Sequence, residues 1–304
     1  MDREQSIRAY VQAAGALPQR LRQEALMLPR EDQCRAEEFR LRAGRPMSVV
    51  LPEGEQVLGR APVHFRELEQ LVEIASRASL HAVLDQVRRG YLTMAGGHRV
   101  GLCGTVSLRE GEIHSLSRYS SADVRIARQV KGAADPVRDA LCPGGRLTST
   151  LILAPPGMGK TTLLRDLIRQ VSDGVGCRPL RVSLADERGE VAALYGGVPQ
   201  LEVGGRTDVV EGCPKAQGLM LLLRAMNPQV LAADEITAPE DVAALRTAAG
   251  CGVTLLATAH GESRADLERR SLYRPLLEEH IVQRLVRIRG TGGQRIYTVE
   301  ELGA

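Results

Sequence analysis

A glycine-rich run in the middle of the chain has the residue types and spacing of a loop that binds phosphate. The run Ala154-Pro-Pro-Gly-Met-Gly-Lys-Thr161 fits the pattern GxxxxGK[ST], except that alanine stands at the first glycine. Gly157 and Gly159 would let the backbone turn successive N–H groups toward phosphate, and Lys160 would bring its charge to the β- and γ-phosphates. The hydroxyl of Thr161 would bind Mg²⁺. The sequence therefore predicts that ATP and Mg²⁺ are bound here by Pro155, Pro156, Gly157, Met158, Gly159, Lys160, Thr161 and Thr162.

The segments on either side of this loop support that interpretation. Residues 148–154 form an apolar run typical of a buried strand, and residues 160–171 have the spacing of an amphipathic helix. The N-terminus of a helix adds its positive dipole end to a phosphate site. The alternative is an ordinary Gly/Pro turn that caps a helix, but strand, loop and helix follow one another in the order that a phosphate site requires.

A second apolar run ends in two adjacent carboxylates, Asp234 and Glu235. We expect Asp234 to hold Mg²⁺, directly or through water, and Glu235 to polarise the water that attacks the γ-phosphate. The alternative is a strand end in solvent. Asp234 stands 74 residues after Lys160, which leaves room for an additional strand between the two motifs. That layout is typical of ATPases in which a glutamate activates water.

Two more strand ends carry groups suited to this chemistry. The strand at 180–186 closes on Asp186-Glu-Arg-Gly-Glu190, where Glu187 and Glu190 would position water or act around the Mg²⁺ ion. The strand at 252–259 is followed by His260, which would hydrogen-bond the γ-phosphate or Glu235. Ligands of open parallel sheets lie at these strand ends. A solvated turn and a capping or core histidine remain the alternatives.

A transferred phosphoryl group also needs a cation on its far side, and arginine is the usual donor. Arg99 in GGHRVG and Arg125 in DVRIAR are the candidates from the first part of the chain. Surface ion pairs are the alternative for both, because arginine is abundant here. Only three of the 40 basic residues are lysines, at 131, 160 and 215, a bias that a GC-rich genome explains and against which Lys160 stands out.

The elements that would position these residues fall into two groups. From residue 147 onward, apolar strands alternate with helices, which predicts an α/β domain with a parallel sheet covered on both faces. Its expected strands are 148–154, 180–186, 228–234 and 252–259, its helices 160–171 and 238–250, and its end a hairpin over 281–290 and 294–302.

The first part of the chain has the pattern of a smaller α+β unit. It predicts helices over 1–30 and 66–89, two strands in 37–51, a turn at 52–55, a hairpin over 90–108 that turns at Gly96-Gly97, and strands at 110–116 and 122–130. We therefore expect an N-terminal α+β domain over 1–135 and an ATPase domain over 136–304.

The composition limits the classes of protein to which this chain can belong. With 304 residues, 43% of them hydrophobic and 25% charged, the chain has the length of about two domains and the balance of a globular protein. No apolar run approaches the ~18 residues of a membrane span, and the charged N-terminus argues against a secretory signal. The six cysteines lack a CxxC pair, which predicts free thiols in a reducing cytoplasm rather than disulfides or a zinc site.

Several strings together resemble the stage III sporulation protein AA family and cover most of the chain. They are EEFRLRAGRP (37–46), GYLTMAGGHRVGLCG (90–104), DVRIAR (123–128), LILAPPGMGKTTLLRDL (151–167), DERGE (186–190), GCPKAQGLMLLLRAMNPQVLAADEI (212–236) and GVTLLATAHG (252–261). That family is similar to the hexameric motor ATPases of type II and type IV secretion and of type IV pili. In those motors an N-terminal α+β domain precedes a RecA-like P-loop NTPase domain, and nucleotide binds between the two.

The resemblance also implies roles for individual residues. Glu235 stands at the catalytic glutamate of the motors, and Asp234 stands where they usually have glycine. Glu187 and Glu190 match their acidic box, with Arg188 where the motors have proline, and His260 matches their His box. The strands with Arg99 and Arg125 resemble those that carry the phosphate-contacting arginines.

For the whole protein, the resemblance implies a motor that hydrolyses ATP to power a secretion-type channel in sporulation. It also implies a homo-oligomer, as a hexameric ring, in the cytoplasm at the membrane that faces the forespore, with membrane-protein partners from the stage III sporulation complex. The alternatives are a nucleotide-gated switch, an AAA+-like DNA-directed ATPase and a small-molecule kinase. The net charge of +3, six tyrosines, two phenylalanines and no tryptophan argue against a nucleic-acid partner.

Overall fold

Two sheets organise the chain, each within its own unit. A computed structural model describes residues 3–76, 84–291 and 294–303. The first unit comprises residues 1–129 with 193–200, and the second comprises 130–192 with 201–304. The segment 193–200 thus packs with the first unit although it lies far along the chain. The predicted division into domains at 135/136 stays a prediction.

The first unit packs helices against an antiparallel sheet. Its helices are α1 (Arg3–Ala14), α2 (Gln19–Leu26), α3 (Arg30–Arg35), α4 (Phe65–Ala75) and α5 (Leu84–Arg88). Its strands are β1 (Glu38–Arg42), β2 (Pro46–Leu51), β3 (Gly54–Pro62), β4 (Tyr91–Thr93), β5 (Arg99–Arg109) and β6 (Glu112–Arg125), in the order β3-β2-β1-β6-β5-β4.

Three local predictions for this unit are wrong. The helix expected over 1–30 is three helices, because Pro18 and Pro29 each start a new one. The helix expected over 66–89 ends at Ala75 and a separate α5 follows; Leu80 and Val83 lie outside the described residues. The strands expected at 110–116 and 122–130 are the single strand β6, which pairs with β5 across a turn at 110–111.

The second unit is a parallel sheet with helices on both faces. Its strands are β7 (Thr150–Ala154), β8 (Val182–Asp186), β11 (Thr207–Glu211), β12 (Val230–Ala233), β13 (Thr254–His260), β14 (Arg284–Thr291) and β15 (Gln294–Glu301), and the short β9 (Leu194–Tyr195) and β10 (Val198–Pro199) lie in the first unit. Its helices are α6 (Asp135–Leu141), α7 (Lys160–Asp173), α8 (Lys215–Ala225), α9 (Pro239–Gly250), α10 (Arg264–Arg269) and α11 (Arg274–Glu278). Among the described residues, none of the helices is both long and apolar enough to cross a membrane.

The strand order of the second sheet is β11-β8-β12-β13-β7-β14-β15, and every pair is parallel except β14 with β15. The phosphate-loop strand β7 therefore lies inside the sheet, with β13 on one side and β14 on the other. Along β7, Leu151 and Leu153 pack with α8 and α9 in one core, whereas Ile152 and Ala154 pack with α6 and α7 in the other. The prediction of a parallel sheet covered on both faces is confirmed.

A fully buried histidine sits in the first unit. The Nδ1 atom of His98 accepts the backbone N–H of Ala127 at 3.0 Å, and its Nε2 atom is buried without a hydrogen-bond partner in the described part of the chain. Burial, with a contribution from the Arg128 charge, lowers the pKa of His98 from 6.5 to about 4. The folded unit therefore holds this histidine in its neutral form.

We expect this histidine to make the first unit sensitive to acid. The unfolded chain takes up the proton near pH 6.5 and the folded chain only near pH 4. The free energy of unfolding is therefore undiminished above pH 6.5 and falls as the pH drops below that value. We predict a loss of about 3 kcal/mol as the pH falls to 4. Urea unfolding at pH 7 and pH 4 should show this excess loss in the wild type relative to His98→Asn, which keeps an acceptor but does not titrate. An equal pH dependence in both proteins would contradict the assignment.

Candidate active site

The phosphate loop leaves β7 and enters α7 over five residues. Gly157 has a φ of +75° and Gly159 a φ of +89°, a left-handed region that side chains with a Cβ atom rarely adopt. Gly159 is the N-cap of α7, whose first helical residue is Lys160. The structure therefore places the predicted loop residues 155–162 between the carboxyl end of β7 and the first turn of a helix.

Lys160 is 7% exposed, and each of its three N–H donors has an acceptor. Its Nζ atom donates to the carbonyl oxygens of Ala154 at 2.9 Å and Pro155 at 3.1 Å, and it lies 3.0 Å from Nδ1 of His260. Burial lowers the pKa of Lys160, while the carboxylates of Asp234 and Glu235 oppose that shift. The ammonium group is thus held at the mouth of the loop rather than in solvent.

Asp234 is fixed by two hydroxyl groups. Thr161 Oγ1 donates to Asp234 Oδ2 at 2.7 Å, and Thr258 Oγ1 donates to Asp234 Oδ1 at 2.5 Å. Thr258 also accepts the backbone N–H of Glu235 at 2.7 Å. The two residues predicted to hold Mg²⁺ are therefore in direct contact.

The donor set of this pair fits Mg²⁺. A hydroxyl and a carboxylate oxygen are hard ligands, and Mg²⁺ usually takes one or two such protein ligands and fills its other positions with water and substrate phosphates. In the described ranges, no group of three or more His, Cys, Asp or Glu side chains is arranged to hold a metal. Thr161 and Asp234 would therefore hold the ion together with the phosphates of a nucleotide.

Glu235 has a backbone conformation that is rare for a residue with a side chain. Its φ is +55°, in the left-handed region, which non-glycine residues adopt uncommonly and which active sites often contain. Its Oε1 atom lies 2.6 Å from Nε2 of His260, and its Oε2 atom accepts from Nη1 of Arg188 at 3.0 Å. The carboxylate is therefore oriented from both sides.

The contacts of His260 indicate which of its ring nitrogens accepts a hydrogen bond and which donates one. Because an ammonium group only donates, Nδ1 of His260 accepts from Lys160, and Nε2 carries the hydrogen that it donates to Glu235. A continuous hydrogen-bonded chain thus runs from the phosphate-loop lysine through the histidine to the glutamate. This links two motifs that are 75 residues apart in the sequence.

The acidic loop after β8 divides into structural and accessible groups. Asp186 is buried and accepts the backbone N–H groups of Glu190, Val191 and Ala192, so it holds the loop in shape, and burial raises its pKa. Glu187 and Glu190 are more accessible and line, together with Asp186, Asp234 and Glu235, a cavity of about 100 Å³. The structure thus brings all four predicted carboxylates together.

One residue of this site is missing from the sequence prediction. Lys215, the first residue of α8, is 6% exposed, and its Nζ atom donates to the backbone oxygen of Glu235 at 2.5 Å. The same atom lies 3.6 Å from Glu187 Oε2 and 3.7 Å from Asp241 Oδ2. The scarcity of lysine in the sequence could have identified Lys215, since two of the three lysines are buried at this site.

The predicted arginines of the first unit lie side by side. Arg99 on β5 and Arg125 on β6 are partners in the antiparallel register. The guanidinium carbon of Arg99 lies 3.9 Å from the ring centroid of Tyr91, and Arg125 Nε lies 3.2 Å from Asp123 Oδ2. Their role as phosphate contacts stays a prediction.

Comparison with known proteins decides the family. The family model for sporulation stage III protein AA matches residues 7–298. The chain belongs to this family. Stage III sporulation protein AA of Bacillus subtilis (strain 168) is 37% identical over 283 residues, which make up 92% of this chain and 92% of that protein. The family predicted from the sequence strings is confirmed.

Solved structures of an ATPase and of a pilus retraction motor share the fold of this family member. The ATPase DotB of Legionella pneumophila superposes with a TM-score of 0.58 at 17% identity, over 87% of this chain and 76% of that one. The pilus retraction motor PilT with bound ADP gives 0.56 at 17% identity, over 87% and 78% of the two chains. The predicted fold class, a RecA-like α/β domain preceded by an α+β domain, is confirmed.

Proposed function

We propose that this chain binds Mg²⁺-ATP in its second unit and hydrolyses it. The observation that carries the proposal is the hydrogen-bonded chain Lys160–His260–Glu235 beside the Thr161–Asp234 pair. A phosphate loop alone serves many nucleotide proteins, but an oriented glutamate is needed where water must be deprotonated.

Each residue of the site has its own role in the proposed reaction. Backbone N–H groups of the loop and Lys160 would bind the phosphates, and Thr161 and Asp234 would hold a Mg²⁺ ion, which would supply further positive charge. Glu235 accepts a proton from water as the water oxygen bonds to the γ-phosphorus. The bond from that phosphorus to the bridging oxygen breaks, which leaves ADP and phosphate. Since Lys160 hydrogen-bonds His260, a γ-phosphate that draws the lysine away would also alter the partner of Glu235.

At the level of the whole protein, we propose a homo-oligomeric motor that powers a secretion-type assembly in sporulation. Its membership of the stage III protein AA family and the fold that it shares with DotB and PilT support this proposal. We place it in the cytoplasm at the membrane, with membrane proteins of the same sporulation complex as partners. Arg99 and Arg125 are proposed to contribute phosphate contacts.

The first test removes the charge of the phosphate loop. Lys160→Ala should weaken Mg²⁺-ATP binding at least tenfold, about 1.4 kcal/mol, because the β- and γ-phosphates lose their cation. Titration calorimetry measures the affinity. Lys131→Ala is the matched control, since Lys131 is a half-exposed lysine paired with Glu202. The Lys131→Ala protein should bind ATP as the wild type does. Wild-type affinity in Lys160→Ala would refute the site.

A further inference from the structure

The hairpin formed by β14 and β15 extends past the end of the strand that carries the phosphate loop. β14 pairs with β7 from Arg284 to Arg287, and Arg287 is opposite Leu153, next to the last residue of β7. β14 then continues to Thr291 and pairs only with β15. Because the two strands are parallel, this overhang lies at the edge of the sheet from which the phosphate loop emerges.

The overhang places an arginine against the loop. Arg295, opposite Gly290 in the hairpin, has its guanidinium group beside Gly159. A Cβ atom at position 159 would lie 2.9 Å from the guanidinium carbon and 3.0 and 3.2 Å from its two terminal nitrogens. The guanidinium therefore fills the space that a side chain at 159 would occupy, in contact distance of the loop backbone.

In the described part of the chain, the charge of Arg295 is not neutralised by a carboxylate. Within residues 3–76, 84–291 and 294–303, no ion pair joins Arg295 to an acidic side chain. Arg284, on the same hairpin, does pair with a carboxylate, that of Glu301, at 2.8 Å. An uncompensated guanidinium next to a phosphate-binding loop is suited to an anion.

The strand order indicates which part of the nucleotide this arginine meets. Asp234, Glu235 and His260 follow β12 and β13, which lie on one side of β7, whereas the hairpin lies on the other. The γ-phosphate and Mg²⁺ belong on the side of the carboxylates. The backbone of the loop, against which Arg295 lies, cradles the α- and β-phosphates.

We propose that Arg295 is a second cation of the nucleotide site, supplied by the same unit as Lys160, and that it binds the α- and β-phosphates shared by ATP and ADP. This inference rests on the proposed nucleotide site. It gives Arg295 a role in affinity for both nucleotides rather than in recognition of the γ-phosphate. Arg295 would thus be a second cation from the same unit, in addition to Lys160.

The test compares ATP and ADP on the full chain. Arg295→Ala should weaken Mg²⁺-ATP and Mg²⁺-ADP by the same factor, about tenfold, because both carry the phosphates that the guanidinium binds. Arg295→Lys should recover only part of the affinity, since it keeps the charge but loses the planar fork. Arg289→Ala is the matched control: it removes an exposed arginine from β14 of the same hairpin and should bind as the wild type does.

Each other outcome overturns the proposal. Unchanged affinity for both nucleotides in Arg295→Ala would make the arginine a surface residue, and a loss for ATP alone would assign it to the γ-phosphate. If Lys160→Ala loses affinity and Arg295→Ala does not, the nucleotide site stands and only this inference fails. If the wild type binds neither nucleotide, both fail. Thermal unfolding without nucleotide should be equal in Arg295→Ala and Arg289→Ala, which shows that the comparison is between folded proteins.

Discussion

Replacing Glu235 by glutamine should leave Mg²⁺-ATP bound and slow its hydrolysis by roughly 10²- to 10⁴-fold, the usual effect of losing a general base. The amide keeps the shape of the side chain, and its oxygen can still accept from His260 Nε2 or from Arg188. It cannot take the proton of the attacking water. Single-turnover measurements of ADP formation, with binding measured in parallel, separate the two effects.

A second carboxylate in the cavity that Glu235 lines provides a matched control for this substitution. Glu187→Gln removes a carboxylate from the same cavity, but Glu187 contacts Lys215 and does not lie within hydrogen-bonding distance of His260. We expect a smaller loss of turnover in Glu187→Gln than in Glu235→Gln. Unchanged turnover in Glu235→Gln would move the general base to Glu187 or Glu190. A wild-type protein that binds ATP without hydrolysing it would indicate a nucleotide-gated switch.

The parts of the site that could be predicted from the sequence are the motifs formed by a few consecutive residues. The phosphate loop needs glycines at fixed offsets from Lys160, and a strand that ends in Asp234 and Glu235 is recognisable from its apolar run. The edge of a parallel sheet then brings such strand ends together without further information. For this reason the sequence was enough to predict that these groups lie near one another.

The remaining features depend on tertiary packing that no local pattern encodes. The contact of Lys160 with His260 joins residues 100 positions apart, and the left-handed backbone of Glu235 comes from its place between Thr258 and Lys215. The terminal hairpin was predicted as strands, but their pattern does not show how far β14 runs past β7, and that length is what brings Arg295 to the loop.

Errors in the first unit have a similar origin. An apolar period of 3.6 residues runs through 66–89, yet α4 ends at Ala75 and α5 is a separate helix. Two strands were expected at 110–116 and 122–130, but β5 pairs along most of β6 and keeps it continuous. Pairing partners, which lie elsewhere in the chain, override the local pattern in strands.

Replacing Lys215 by methionine should lower both stability and turnover, because this buried ammonium group serves two purposes. It neutralises Asp241, which is also buried, and it donates to the backbone oxygen of Glu235. Breaking a buried ion pair by removing one partner costs about 3–5 kcal/mol, since the other charge is left without compensation. We expect that loss in urea unfolding, together with slower ATP hydrolysis as Glu235 loses the donor that fixes its backbone.

A second substitution separates the two purposes of Lys215. Asp241→Asn removes the charge that Lys215→Met leaves unpaired, while its amide oxygen can still accept the N–H groups of Thr237 and Ala238, which Asp241 Oδ2 accepts at 3.1 Å. The double variant should therefore regain most of the lost stability. It should not regain turnover, because the carbonyl of Glu235 still lacks its donor and the carboxylate is no longer held toward His260. Recovery of turnover along with stability would show that Lys215 acts only by neutralising charge, and that the contact with Glu235 has no part in positioning the base.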